Sequence, residues 1–416
     1  MDTSTTEIAL DRVVDDMHGD WVQLRRQLHA HPELSGHEKE TTRRLLERMQ
    51  ERTACVTPLE STGLWADFDL GVGQDGHCDP QDPPKHKRIA IRADIDALPV
   101  TTKLQTPYAS QIPHCMHACG HDVHTAIVAG AIDILLTLDR EKRLPHPVHL
   151  RALFQPAEET SQGASAMITA GALDSVHSIY ALHVDPSLPV GSIGFRYGAL
   201  TASCDVFDVQ FEGTGGHSAR PHLTDDIPSA VAYWISEAHA RIPRMLNAFH
   251  PTVLSIGMIR AGEVANVIPD TASLSGTLRS TDPESHDAAW SAMRRLSRST
   301  EELFGCTVRT QSRRLTPGVI NDDQCTTLAK QAAEATVGQD YVKPILHSSM
   351  GAEDFSYYLQ EKPGAMIRLG VAGPATGGAA LHTPRFDIDE RAIGIGARWF
   401  ANVILADARR RFAQAP

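Results

Sequence analysis

Short apolar runs and helically spaced stretches alternate through the first half of the chain. Arg88 to Ala93, Val148 to Phe154 and Ser178 to His183 are apolar runs of strand length, and the first ends in Asp94-Ile95-Asp96. Trp21 to His29, Glu38 to Met49, His121 to Leu138 and Ser165 to Ala170 have helical spacing. Alternation of this kind predicts an α/β sheet with functional residues at strand ends. Gly71 to Lys87 is rich in Gly, Asp, Pro and Gln and reads as an exposed insertion loop, although it holds His77, Cys78 and His86.

The middle of the chain changes pattern. Asp205 to Phe211 alternates as a strand does, and Ile227 to Leu246 reads as a helix. Val253 to Ile259 and Ala272 to Leu278 are strands separated by a Gly and Pro loop. Glu284 to Phe304 is an amphipathic helix, and Val308 to Arg313 a last strand. The order β-α-β-β-α-β is that of a ferredoxin-like unit. An inserted α+β domain is therefore expected at residues 199–314, leaving 1–198 and 315–416 as one discontinuous α/β domain. Beyond the insertion, Asp322 to Ala335, Glu353 to Leu359 and Asp389 to Phe412 read as helices and Ala365 to Leu369 as a strand, which resumes the α/β pattern.

A chain of 416 residues is long for one hydrophobic core, which agrees with two domains. With 39 basic and 51 acidic side chains the formal charge is -12, which argues against a general affinity for nucleic acid or an anionic membrane. Met1 to Asp20 carries several acids and no apolar core, so no secretory signal is expected, and no run of apolar residues has the length of a membrane span. The seven cysteines are scattered without a Cys-x-x-Cys pair, which suggests neither a disulfide framework nor a zinc ribbon. A reduced, cytoplasmic setting is expected.

The chemistry concentrates in one loop. His114, Cys115, His117, Cys119, His121 and His124 fall within eleven residues, directly before an apolar helical run. Cys119 and His121 can aim at one centre if the segment turns, whereas on a helix they would diverge. A buried thiol among polar loop histidines is the bland alternative, weakened by four histidines and two cysteines occurring together. Glu158 and Glu159 follow Leu153-Phe154-Gln155-Pro156-Ala157, so a buried strand delivers two adjacent carboxylates. One can bind metal while its neighbour takes a proton from water, and a solvated acidic turn is the competing reading. His183 and His382 each end an apolar run. Singly they read as structural, but they supply imidazoles that a site of Cys119, His121 and Glu159 lacks. His217 lies in Gly215-Gly216-His217-Ser218-Ala219-Arg220-Pro221-His222, where glycines allow close backbone approach or simply a tight turn.

Other templates fail. There is no His-Glu-x-x-His, no His-x-Glu with Pro-Cys-x-x-Cys, no phosphate loop and no Gly-x-Ser-x-Gly.

Taken in order, the motifs carry a resemblance from end to end. They are Arg25-Arg26-Gln27-Leu28-His29-Ala30-His31-Pro32-Glu33-Leu34, Arg92-Ala93-Asp94-Ile95-Asp96-Ala97-Leu98-Pro99, the Cys119 and Glu158 blocks, and Gly216-His217-Ser218-Ala219. Ala265-Asn266-Val267-Ile268-Pro269, Gly351-Ala352-Glu353-Asp354-Phe355 and Leu381-His382-Thr383-Pro384-Arg385-Phe386 complete them. The chain resembles the hippurate hydrolase and N-acyl-amino-acid amidohydrolase branch of the aminoacylase and carboxypeptidase metallopeptidase family, which includes indole-acetyl-amino-acid hydrolases.

The resemblance implies a zinc-peptidase-like α/β catalytic domain with the inserted ferredoxin-like domain as lid and dimerisation domain. It implies two divalent metal ions per subunit, Zn²⁺ or Mn²⁺ first and Co²⁺ or Ni²⁺ as alternatives. Cys119 would bridge them, with Glu159 and His382 on one ion and His121 and His183 on the other. Glu158 would be the general base for metal-activated water, and Asp96 would orient a ligand. The wider family's ligating His has Asp94 in its place, which leaves contact between Asp94 and metal open. His217, with Asn266 nearby, would polarise the scissile carbonyl from the partner subunit of a homodimer. Arg279 is a candidate for the substrate carboxylate, its alternative being an exposed strand arginine.

The expected activity is hydrolysis of small-molecule N-acyl-amino acids, with no nucleic-acid or membrane partner. A metallo-carboxypeptidase or dipeptidase is the enzymatic alternative. A non-catalytic metal- or ligand-binding protein on the same fold is the other, and the intact Glu158 argues against it. His114, Cys115 and the length of the 71–87 loop depart from the resemblance.

Overall fold

The computed structural model describes residues 3–53, 55–72, 86–374 and 376–414. Most of the loop expected at Gly71 to Lys87 lies outside the described residues. The chain divides into two compact units. The first comprises Met1–Gly198, Ile320–Leu346 and Asp354–Pro416, and the second Ala199–Val319 with His347–Glu353.

The first unit is built on a mixed eight-stranded sheet, in the order 56–58, 64–70, 148–155, 88–94, 176–189, 364–372, 193–195 and 342–344. Its centre is parallel: 148–155, 88–94, 176–189 and 364–372 run the same way. Central strands buried on both faces need continuous apolar runs, and Ile89, Ile91, Leu150, Phe154, Tyr180 and Leu182 supply them. The carboxyl ends of parallel strands are where an α/β sheet presents its ligands. Here those ends carry Asp94 and the Glu158-Glu159 pair, with His183 further along the 176–189 strand.

The strand Leu64–Leu70 is fully buried, yet its acids hid it from the apolar-run reading. Asp67 accepts two bonds from Arg151, both 2.7 Å, and Asp69 is paired with Arg88 at 2.8 Å. Alternate positions therefore bury charges that only their partners make tolerable.

Three helices of the first half of the chain pack in this unit. α1 (Thr3–Ala30) extends much further towards the N-terminus than the Trp21 to His29 spacing indicates; α2 spans Lys39–Gln50 and α3 His121–Arg140. α3 is long and apolar enough to cross a membrane by composition, but its apolar window is 89% buried inside the unit. Trp21 of α1 packs in the same core and donates to Asp133 of α3 at 3.1 Å. Cys55 is disulfide-bonded, although the cysteine spacing suggested no disulfide framework. Cys115, Cys119, Cys204, Cys306 and Cys325 are free and buried.

The second unit has the four-stranded order 252–261, 271–280, 203–212, 307–316, every pair antiparallel. Helices Ile227–Arg241 and Pro283–Phe304 cover one face, around Phe207, Phe211, Trp234, Leu274 and Met293. The second helix is punctuated in sequence: Asp282 caps it through Ser285 N at 2.8 Å, Pro283 starts it and Gly305 at φ 74° ends it. The order is ferredoxin-like. The segment 347–353 joins this unit because Ser349 N bonds Leu200 O, Ala202 N bonds Ser349 O and Arg279 Nη1 donates to Met350 O at 2.5 Å.

Arg25 ties the first unit together. Fully buried, it donates to Asp122 of α3 at 2.9 Å, to Asp387 at 2.8 Å and to Glu390 at 3.3 Å. Burial opposes the Asp122 charge, but Arg25 and His29 hold its carboxyl below the usual carboxylate range. Its folded pKa is depressed, so its contribution to stability is present above about pH 4 and is lost only in stronger acid. Replacing Arg25 by Met leaves the buried Asp122 and Asp387 without their arginine, while Glu390 keeps Arg26. The expected loss is about 3–5 kcal/mol, read from the chemical-denaturation midpoint.

Candidate metal centre

Four separate segments deliver the site. Cys119 precedes α3, and Gly120 turns the chain at φ 89° so that His121 becomes the first helical residue. A Cβ at Gly120 would lie 2.5 Å from Val184 Cγ2, so both the turn and its packing require glycine. Glu158 and Glu159 follow the strand Val148–Gln155. His183 belongs to the strand Val176–Pro189. His382 enters on a loop at φ 61°, its amide held by Ala118 O at 2.8 Å.

Their side chains converge on Cys119. Its Sγ lies 3.4 Å from His183 Nε2 and 3.3 Å from His382 Nε2, with the two imidazoles reaching it from different segments. Glu159 Oε1 is 3.5 Å from His382 Nε2 and 3.9 Å from His121 Nε2, while Glu158 Oε2 is 3.9 Å from His121 Nε2. Three overlapping groups result, each with donor atoms mutually within 4.8 Å: Cys119-His121-His183, Cys119-Glu159-His382 and His121-Glu158-Glu159. All five ligands expected from the resemblance are brought together, with Glu158 among them.

A further shell fixes their orientations. Asp96 Oδ1 accepts from His121 Nδ1 at 3.1 Å, while Asp96 Oδ2 accepts from Glu159 N at 3.0 Å and Ser35 Oγ at 2.7 Å. His121 Nδ1 also meets Asp96 O at 2.9 Å, so its proton sits there and Nε2 faces the cluster. Asp94, His121 and His124 form another compact group. Both His124 nitrogens are engaged, however: Nδ1 donates to Asp94 at 2.6 Å and Nε2 accepts from Val184 N at 3.0 Å. Asp94 also receives Arg92 at 2.5 Å. Asp94 Oδ2 also lies 3.6 Å from His121 Nε2, so Asp94 borders the cluster while its oxygens serve Arg92 and His124. Arg92 continues to Asp354 at 2.8 Å, and the Asp354 amide donates to Glu158 Oε1 at 3.4 Å.

The electrostatics describe a site short of positive charge. Burial pushes the Cys119 thiol well above its ordinary range and raises Glu159, favouring neutral forms of both. Burial lowers His183 well below an ordinary imidazole. His121 goes the other way: burial opposes its charge, but Asp94, Cys119 and Asp96 outweigh it and raise its pKa. His121 Nε2 and Glu159 Oε1 are buried and make no hydrogen bond. Orphaned donors of this kind, beside a thiol and further imidazoles, fit divalent transition-metal ions.

The remaining candidates sit elsewhere. His217 and Asn266 lie together in the second unit, where Val267 pairs with His217 and Ser218 N donates to Asn266 O at 3.1 Å. Arg279 is in that unit too, bonded to Met350 O. His114 bonds Thr101 at 2.8 Å, and Cys115, pushed up to about 11 by burial, donates to Pro32 O. His117 is buried, its pKa lowered to about 4 by desolvation. Sequence reasoning assigned no role to Ser35, Glu38, Arg92, Gln155 or Asp354. Their motifs were visible, but their partners are distant in sequence.

Comparison with known proteins identifies the family to which the chain is similar. The family model described as peptidase family M20/M25/M40 matches residues 90–406. A protein of Synechocystis sp. named as a hydrolase is 40% identical over 381 residues, covering 90% of this chain and 92% of its own. The N-acetylcysteine deacetylase of Bacillus subtilis (strain 168) is 34% identical over 93% of this chain and 96% of its own. A longer relative from Rhodococcus jostii (strain RHA1) is 40% identical over 91% of this chain, which spans only 45% of that protein. Among solved structures, a Bacillus subtilis protein described as a dinuclear metal-binding peptidase of the M20 family superposes with a TM-score of 0.79 at 31% identity. That match covers 95% of this chain and 99% of the other.

Asp96 gives a direct test of the centre. Asp96→Ala should weaken divalent-metal binding by roughly 10–100-fold, measured by chelator competition, while far-ultraviolet circular dichroism stays native.

Proposed function

The chain belongs to peptidase family M20/M25/M40, and from that membership we propose that it hydrolyses N-acyl-amino acids to a carboxylic acid and a free amino acid. Within the family we assign it to the hippurate hydrolase and N-acyl-amino-acid amidohydrolase branch. The observation that carries the reading is the divergence of two neighbouring carboxylates. Glu159 Oε1 turns to His382 and His121, whereas Glu158 borders the cluster with one oxygen near His121 and the other on the Asp354 amide. The deacetylase name of the Bacillus subtilis relative supports an acyl-amino-acid substrate.

Cys119, Glu159 and His382 would hold one divalent ion and Cys119, His121 and His183 a second, Zn²⁺ or Mn²⁺ being the first choices. Such ions act as Lewis acids towards a carbonyl and make water more acidic. Glu158 takes the proton of the attacking water and returns it to the leaving nitrogen. Asp96 keeps His121 in the tautomer that presents Nε2. Burial of Cys119, His121, His183 and Glu158 limits the competition of bulk water for these charges.

The second unit is proposed as lid and dimerisation domain. The strand Thr252–Ala261 ends its sheet, with Val253, Met258 and Ile259 exposed along it. Exposed apolar edges of this kind invite pairing with a second copy. In the dimer, His217 with Asn266 polarises the scissile carbonyl of the other copy's substrate. Arg279, anchored on Met350 O, is the candidate partner for the substrate carboxylate.

The reading predicts turnover of N-acetyl, N-benzoyl or indole-acetyl amino acids above that of dipeptides in a metal-supplemented panel. Glu158→Gln should lower kcat by roughly 10²–10⁴-fold with metal content unchanged. Near-normal turnover in that variant would overturn the assignment of the base.

A further inference from the structure

Ala157, immediately before the two carboxylates, has φ 51°. A residue with a Cβ rarely adopts this left-handed region unless its surroundings impose it. The imposing group is Glu38. This fully buried carboxylate accepts from Ala157 N at 2.8 Å and Gly36 N at 2.9 Å through Oε1, and from Thr62 Oγ1 at 2.8 Å through Oε2.

Glu38 occupies the position that caps α2, yet its side chain makes no bond to its own helix. Glu33 does that work instead, accepting from Glu40 N at 3.1 Å and Thr41 N at 2.7 Å. The Glu38 carboxylate is therefore committed to a segment 119 residues away. The turn it meets is closed from the other side. Gln162 N and Gly163 N bond Ala157 O, and a Cβ on Gly163 would fall 1.6 Å from Pro156 O. Held at both ends, the turn fixes the directions in which Glu158 and Glu159 leave the strand.

We propose that Glu38 is a positioning residue that holds Ala157 left-handed and so aims Glu158 at the reacting water and Glu159 at the metal ions. The inference rests on the roles given above to Glu158 and Glu159. Glu38→Ala removes both acceptors. Glu38→Gln keeps an oxygen for the two amides and lets the Thr62 hydroxyl become the acceptor. In Glu38→Ala/Ala157→Gly, glycine adopts the left-handed conformation without an anchor.

The experiment measures Zn²⁺ affinity by chelator competition, the Co²⁺ absorption spectrum, kcat and KM separately, and the melting midpoint. Glu38→Ala should bind metal roughly 10–100-fold more weakly and lose kcat with little change in KM. Glu38→Gln should recover most of the loss, and the double variant part of it. If Glu38→Ala folds poorly, comparison of the other two with the native chain still decides. Native metal affinity, spectrum and kcat in Glu38→Ala, with only the melting midpoint lowered, would overturn the proposal and leave Glu38 a fold residue. No recovery through Ala157→Gly would overturn it as well. Failure of the base reading is separate: it would show as turnover in Glu158→Gln, whatever the metal affinity of the Glu38 variants.

Discussion

A thiol, imidazoles and carboxylates packed into one largely buried cluster repel or neutralise one another unless positive charge is supplied. That constraint organises the first unit. Burial drives Cys119 and Glu159 towards their protonated forms, so the pocket is electrically incomplete by itself. Divalent cations would resolve the conflict by holding both groups ionised, which would make metal binding and proton release one event. A bound ligand would thus make an otherwise unfavourable cluster favourable.

The surrounding carboxylates keep the donors from resolving the conflict in another way. Asp96 takes the Nδ1 proton of His121 and the amide of Glu159, so neither group can swing to a local partner. Asp94 is held by Arg92 and His124. Arg25 neutralises Asp122, the neighbour of His121, from beneath. Each buried acid next to the cluster is thus matched to a cation or a hydrogen-bond donor, and the unmatched atoms, His121 Nε2 and Glu159 Oε1, face the centre.

Much of this is legible in the sequence. Cys119-Gly120-His121 and Glu158-Glu159 are contiguous, and the apolar runs around them place both at element ends. His183 and His382 gained meaning only beside that set. The strand Leu64–Leu70 was not legible because Asp67 and Asp69 break its apolar run, and their arginine partners lie on other strands. α1 starts well before the Trp21 to His29 spacing, and Leu10, Val13, Val14 and Met17 continue that spacing towards its beginning between acidic and polar residues. Glu38 was hidden for a different reason: a capping position implies a local bond, and this one is made to a turn far along the chain. The segment 347–353 likewise joins the second unit through backbone bonds that carry no sequence signal.

The central claim is that Cys119 serves two metal ions at once. Titrating metal-free protein with Co²⁺ tests it, because a thiolate ligand adds a charge-transfer band to the spectrum. The account predicts that the band develops over about two equivalents per chain and that Cys119→Ser loses the band and weakens both binding steps together. A Cys119→Ser protein that still bound two equivalents with native affinity would contradict it.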